Sequence, residues 1–262
     1  MDDLTPTPAP TTTTTTTTKD HNEEAIPLLI TGIVGSVLVI IVLFNTALKN
    51  GKLTCNRYLL NSFLYVLLAI LLAFTTIKTY EFYNVKVESY IFWGSFVVSI
   101  LSIIGVFFVK NLALQHVLWL MFVASMGTFL YPLYKSLQEQ QDHTVGNVLL
   151  AMAGLLGVLL LVIVYRPNWV KLSWGPVLFM TLIGVVLLSL LNLIFGSKTG
   201  SLVISYVSVV LFSIYLLYDT KIILLHAEKC GPDNPPAYPQ ESMGVFTDIL
   251  NIFVNIANIQ NS

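Results

Sequence analysis

Charge is what this sequence has least of. Only 10% of its 262 residues are Asp, Glu, Lys or Arg, where an ordinary soluble domain carries about a quarter. With 55% hydrophobic residues and a mean hydropathy of +0.78, the chain reads as an integral membrane protein. Net charge is −1, so no basic surface points to nucleic acid. Two cysteines, Cys55 and Cys230, are too few for a disulfide framework, and both are expected as free thiols on one cytosolic side. His21, His116 and His143 fall in tails or links and form no metal constellation. There is no phosphate-cradling Gly loop and no nucleophile elbow. There is no internal repeat of the kind that builds inverted-repeat transporters. No cofactor is implied.

What the chain does have is apolar length. A spanning helix needs about 20 mostly apolar residues, and such segments lie near 26–48, 58–78, 91–109, 113–134, 147–165, 175–195 and 201–225. A shorter one, Met243–Ile259, follows; whether it crosses fully is left open. The fold class is therefore an all-α polytopic membrane protein. Short links make neighbouring helices antiparallel and leave no room for a soluble domain. Residues 1–25, with eight consecutive threonines, cannot bury enough apolar surface to fold and read as a disordered acidic tail. Residues 26–48 form an extra N-terminal span, and 49–262 a helical bundle. Gly32 and Gly35, Ala153 and Gly157, and Gly184 are expected to let helices pack closely.

Basic residues set the orientation. Eight of them (Lys49, Lys52, Arg57, Lys110, Arg166, Lys171, Lys221 and Lys229) fall on one face and five (Lys19, Lys78, Lys86, Lys135 and Lys198) on the other. The N-terminus is thereby expected outside or lumenal.

Two acids interrupt the late apolar segments: Asp219 and Asp248. An ionisable group within a span is costly and marks function by default. In the last segment Asp248, Asn251, Asn255 and Asn258 follow at three, four and three residues, along one helical face. A polar stripe in lipid must turn inward, which makes this a central helix. A helix lying flat at the interface would want Lys or Arg on that stripe, and residues 243–262 contain neither. Two carboxylates held close together resist losing both protons and titrate as a pair. Once deprotonated they capture a cation, and Ca²⁺ prefers carboxylate and amide oxygens such as those of Asn251 and Asn255. The plainer alternative pairs Asp219 with Lys221 or lets it reach the interface. His226, seven residues after Asp219, is read as an interfacial residue.

The run Leu211-Phe212-Ser213-Ile214-Tyr215-Leu216-Leu217-Tyr218-Asp219-Thr220, followed by Asp248-Ile249-Leu250-Asn251-Ile252-Phe253, resembles the Bax-inhibitor (transmembrane BAX inhibitor motif, or Lifeguard) family. With His226-Ala227-Glu228 it is most similar to the growth-hormone-inducible transmembrane branch. The resemblance implies six helices around a central C-terminal helix, a pH-sensitive Ca²⁺ leak, and suppression of cell death. It places the ion- and proton-sensing pair on Asp219 and Asp248, which would hold calcium transiently, as the transported ion. It places a latching cation on Lys110, where Lys instead of Arg gives up bidentate pairing. That branch also carries an extra N-terminal helix, but with a transit peptide that is not visible here. An endoplasmic-reticulum or other endomembrane location is expected, with the mitochondrial inner membrane as the alternative. Partners are the bilayer and, in a second reading, apoptosis-regulating membrane proteins bound without conduction. A third reading, intramembrane aspartyl proteolysis, wants Gly-x-Gly-Asp, and Gly244-Val245-Phe246-Thr247-Asp248 does not match; no enzyme is expected.

Overall fold

Backbone polar groups in hydrocarbon must find partners within their own segment, and the chain answers with helices. A computed structural model describes residues 17–140 and 144–260. The helices are α1 (Thr17–Thr46), α2 (Tyr58–Phe82), α3 (Ser89–Phe108), α4 (Leu112–Gln140), α5 (Thr144–Tyr165), α6 (Gly175–Phe195), α7 (Lys198–Lys229) and α8 (Tyr238–Gln260). Each is long and apolar enough to cross a bilayer, so the chain is an all-α multi-pass membrane protein. The ends follow capping chemistry. Gly196 stops α6 in the left-handed region at φ 64°, where a residue without a Cβ is favoured. Ser197 then caps α7, its Oγ accepting from the Gly200 N–H at 3.0 Å.

Three expectations change. The tail of 1–25 lies outside the described residues up to 16 (as does His143), but 17–25 are the start of α1. The last segment begins at Tyr238 instead of Met243. Its 23 residues rise about 34 Å, enough for the hydrocarbon core. Between α1 and α2 stands a small antiparallel hairpin, β1 (Leu48–Lys49) and β2 (Lys52–Leu53). Its two turn residues, Asn50 and Gly51, both have positive φ, the Asn-Gly signature of a type I′ turn.

α8 is the central helix. It packs against α2, α3, α4, α5 and α7, and no residue from Tyr238 to Ile259 is exposed. The encircling ring is incomplete at α6, which leans on α7 and hardly meets α3 or α8. α6 carries no charged side chain and almost no polar ones, so lipid covers it as well as protein would. The extra helix α1 lies on α2 through a stripe of buried Gly32, Ser36, Val39 and Leu43.

Close helix packing is placed differently from the expectation. A Cβ at Gly32 would sit 2.6 Å from Thr75 Oγ1 and one at Gly35 would touch Leu71 at 3.4 Å, so those two do admit a neighbour. Gly157 and Gly184 have nothing within 4 Å, and Ala153 is exposed. The tight seams are instead at Gly127, where a Cβ would meet the Ala73 carbonyl at 2.7 Å, and at Gly105 against Leu118 at 2.8 Å.

Two polar residues also move inward. Lys78 is 3% exposed and paired with Glu81 at 2.7 Å inside α2. It is therefore not a link charge, and four basic residues remain on its face against eight on the other. His116 sits in the first turns of α4, half-buried, with Nε2 2.7 Å from the Tyr65 hydroxyl. Cys55 and Cys230 are not free thiols: they are joined, with their Cα atoms 5.7 Å apart. They do share one face of the bundle, because short links and antiparallel helices put both there. A disulfide belongs to an oxidising compartment, whereas the basic residues turn the same face to the cytosol; the two signals oppose each other.

Gly127→Ala should push α2 from α4 and cost about 1–3 kcal/mol, read as a fall in thermal unfolding temperature, while Gly157→Ala should leave that temperature unchanged. With the basic residues setting topology, a membrane-impermeant maleimide added with an impermeant reductant should label Cys55 and Cys230 in cells whose plasma membrane alone has been permeabilised. Labelling that appears only once the internal membranes are also opened would reverse the orientation.

Candidate functional site

α7 and α8 are antiparallel neighbours and bring their acids together. Each carries a titratable pair two turns apart: Asp219 and His226 on α7, Glu241 and Asp248 on α8. All four line one cavity of about 700 Å³. Because the helices run in opposite directions, His226 meets Glu241 near the Cys55–Cys230 face, and Asp219 and Asp248 lie deeper, about 10 Å along the axes.

The outer rung is fully bonded. Glu241 accepts from the Tyr58 hydroxyl at 2.6 Å and the Ser62 hydroxyl at 3.1 Å. Its Oε1 lies 2.8 Å from His226 Nδ1. The carboxylate is 6% exposed and the imidazole 47%. One carboxylate thus ties α8 to both α2 and α7. Tyr238 and Ser242, on the same turns of α8, extend the anchorage. The Tyr238 hydroxyl donates to the Thr54 carbonyl, and Trp119 Nε1 donates to Ser242 Oγ at 2.9 Å. His226 is thus half-exposed and has a specific partner.

The inner rung is under-bonded. Asp248 is 5% exposed, and its Oδ2 has no hydrogen-bond partner among the described residues. Among the described residues Asp219 pairs with no cation, Lys221 included. Gly244 gives the Asp219 carboxylate its room: a Cβ there would sit 2.5 Å from Asp219 Oδ2. Lys110 stands exposed in the α3–α4 link and forms no ion pair among the described residues, so no latch on Asp219 is closed in this structure. Asn251 and Asn255 do not line the cavity. Their amides donate back to their own helix, to Thr247 O at 2.9 Å and Asn251 O at 2.8 Å. Among the described residues no three His, Cys, Asp or Glu gather closely enough to hold a metal ion.

Glu241 is the residue that sequence reasoning missed. Its spacing of seven from Asp248, matching the seven between Asp219 and His226, was the available signal.

A scan against family models matches residues 55–262 to the inhibitor of apoptosis-promoting Bax1 family. An uncharacterized protein of Campylobacter jejuni is 40% identical over 88 residues, 34% of this chain and 35% of that protein. An uncharacterized protein of Helicobacter pylori strain J99 is 29% identical over 168 residues, 64% of this chain and 70% of that protein. The match thus spans about a third of the length of the first relative. No solved structure matches.

Glu241→Ala removes the acceptor of Tyr58, Ser62 and His226 at once. Leaving buried donors unpaired costs about 1–3 kcal/mol, so a lower unfolding temperature is expected, with recovery in the double variant that also carries Tyr58→Phe.

Proposed function

The chain belongs to the inhibitor of apoptosis-promoting Bax1 family, and from that premise we propose that it is a proton-sensitive Ca²⁺ leak whose gate is the pair Asp219 and Asp248. The observation that carries the reading is that these two acids, from adjacent helices, line one cavity inside the bundle. A buried acid with an unpartnered oxygen and no counter-cation can stay neutral by holding a proton. When the proton leaves, the pair holds negative charge in a poorly solvated site, and a hard cation is the natural replacement. Two carboxylates with no further ligands hold such an ion loosely, as conduction requires. Asp248, at the level of Asp219 on the central helix, is the member whose charge state the surrounding helices would sense.

Lys110 fits as a latch in a second state, since the α3–α4 link lies on the same face as the His226–Glu241 rung. Asn251 and Asn255 would join the pathway only if their amides left their own helix carbonyls. A role in calcium homeostasis and restraint of cell death belongs to the same proposal by family resemblance, and an intracellular membrane is the proposed location.

Protons and Ca²⁺ compete for the same oxygens. Reconstituted in vesicles with a Ca²⁺ dye, the chain should therefore leak faster as pH rises through the titration of the pair. Asp219→Asn and Asp248→Asn should each abolish that pH dependence and change flux by about tenfold, the effect of roughly 1.4 kcal/mol. Unaltered flux and pH profile in both variants would contradict the mechanism.

A further inference from the structure

The cavity is not shaped only for a bare ion. Most of its wall is apolar: Ile103 and Phe107 from α3, Leu182 from α6, and Phe212 and Ile222 from α7. α3 and α6 hardly meet, and Phe107 is 63% exposed. The wall is thus open sideways, toward the surface that lipid covers. Its polar end is one-sided. Two side-chain atoms are buried without a partner among the described residues, Gln240 Oε1 and Asp248 Oδ2; both are acceptors, and both belong to residues that line this cavity. The Tyr215 hydroxyl also lines the cavity and remains as a donor; the other side-chain donors on the wall are committed. Thr247 Oγ1 gives its proton to Met243 O at 2.7 Å, Gln240 Nε2 donates to Val106 O at 3.1 Å, and His226 faces Glu241. Among the described residues no Lys or Arg lines the cavity.

A ligand matched to that wall is cationic and richer in N–H donors than in acceptors, with a hydrocarbon body. An alkylammonium head has three donors and no acceptor, and its charge-assisted hydrogen bonds to carboxylate are the strong kind. A quaternary ammonium has the charge without the donors. A fatty alcohol has the tail without the charge. We propose that the cleft between α3 and α6 binds a single-chain primary amine from the bilayer, its ammonium on Asp248 and Asp219 and its chain along Phe107 and Leu182. The head then sits two turns below the His226–Glu241 rung. The tail leaves through the lateral opening, as an amphiphile entering from lipid must. This inference rests on Asp219 and Asp248 forming one site, as in the conduction reading, but needs no ion to pass.

The test is equilibrium binding of radiolabelled dodecylamine to the full chain in phosphatidylcholine nanodiscs, corrected with empty discs, at constant pH without Ca²⁺. One saturable site per chain is expected. Asp248→Asn should weaken it at least about tenfold, and Leu182→Trp, which fills the cleft and leaves the acids in place, should do the same. Dodecyltrimethylammonium should compete at least about tenfold more weakly than unlabelled dodecylamine, and dodecanol not at all. Absence of a saturable site, equal competition by dodecanol or by the quaternary amine, or unchanged binding in Leu182→Trp would overturn the proposal; the last outcome decides even if Asp248→Asn does not fold. Amine binding without Ca²⁺ flux in the unaltered chain would sink conduction alone, and flux without amine binding would sink this inference alone.

Discussion

The bundle is organised by the cost of a polar stripe in hydrocarbon. α8 carries Glu241, Asp248 and three asparagines among apolar residues, and such a helix cannot face lipid. Placing it at the centre covers it from Tyr238 to Ile259 and dictates which neighbours it must have. Those neighbours answer with matched groups at one end. Tyr58, Ser62, Trp119 and His226 all bond the first turns of α8. At the other end the packing is mainly apolar, through Phe253, Val254 and Ala257.

This asymmetry places the cavity. Where α8 is pinned by Glu241 and the Tyr238 hydroxyl, the helices are held in register. One turn further in, Gly244 removes a side chain just where α7 presents Asp219. The acids are thus held by rigid helices and supported by an anchored rung, the arrangement that keeps a functional group in place. The open seam beside α6 follows from the same logic in reverse. α6 has no polar face to hide, so nothing draws it onto α8.

Much of this was legible in the residues. Hydropathy marks every span, though it misses the start of α1 at Thr17, the end of α4 at Gln140 and the start of α8 at Tyr238. The three- and four-residue spacing of Asp248, Asn251 and Asn255 marks the central helix, and the two acids stand out against their surroundings. What was not legible came from contacts between distant segments. Glu241 looks like an ordinary first-turn acid until Tyr58 and His226 are seen around it. The Cys55–Cys230 bridge spans a sequence separation of 175, and only the shared face of two links brings it about. Glycine counts could not say that Gly127 meets a backbone while Gly157 meets nothing, because that depends on which side of a helix faces a neighbour. The Asn50-Gly51 turn carried a recognisable signal that the apolar runs on either side overshadowed.

The central claim is that Asp219 and Asp248 behave as one unit. The most direct measurement is carboxyl infrared difference spectroscopy of the membrane-embedded chain through a pH titration, comparing the unaltered protein with Asp219→Asn. Interacting acids titrate as a pair, so removing Asp219 should shift the titration of Asp248 to lower pH, because the neighbouring negative charge that opposes its ionisation is gone. A titration of Asp248 that is the same with and without Asp219 would contradict the account.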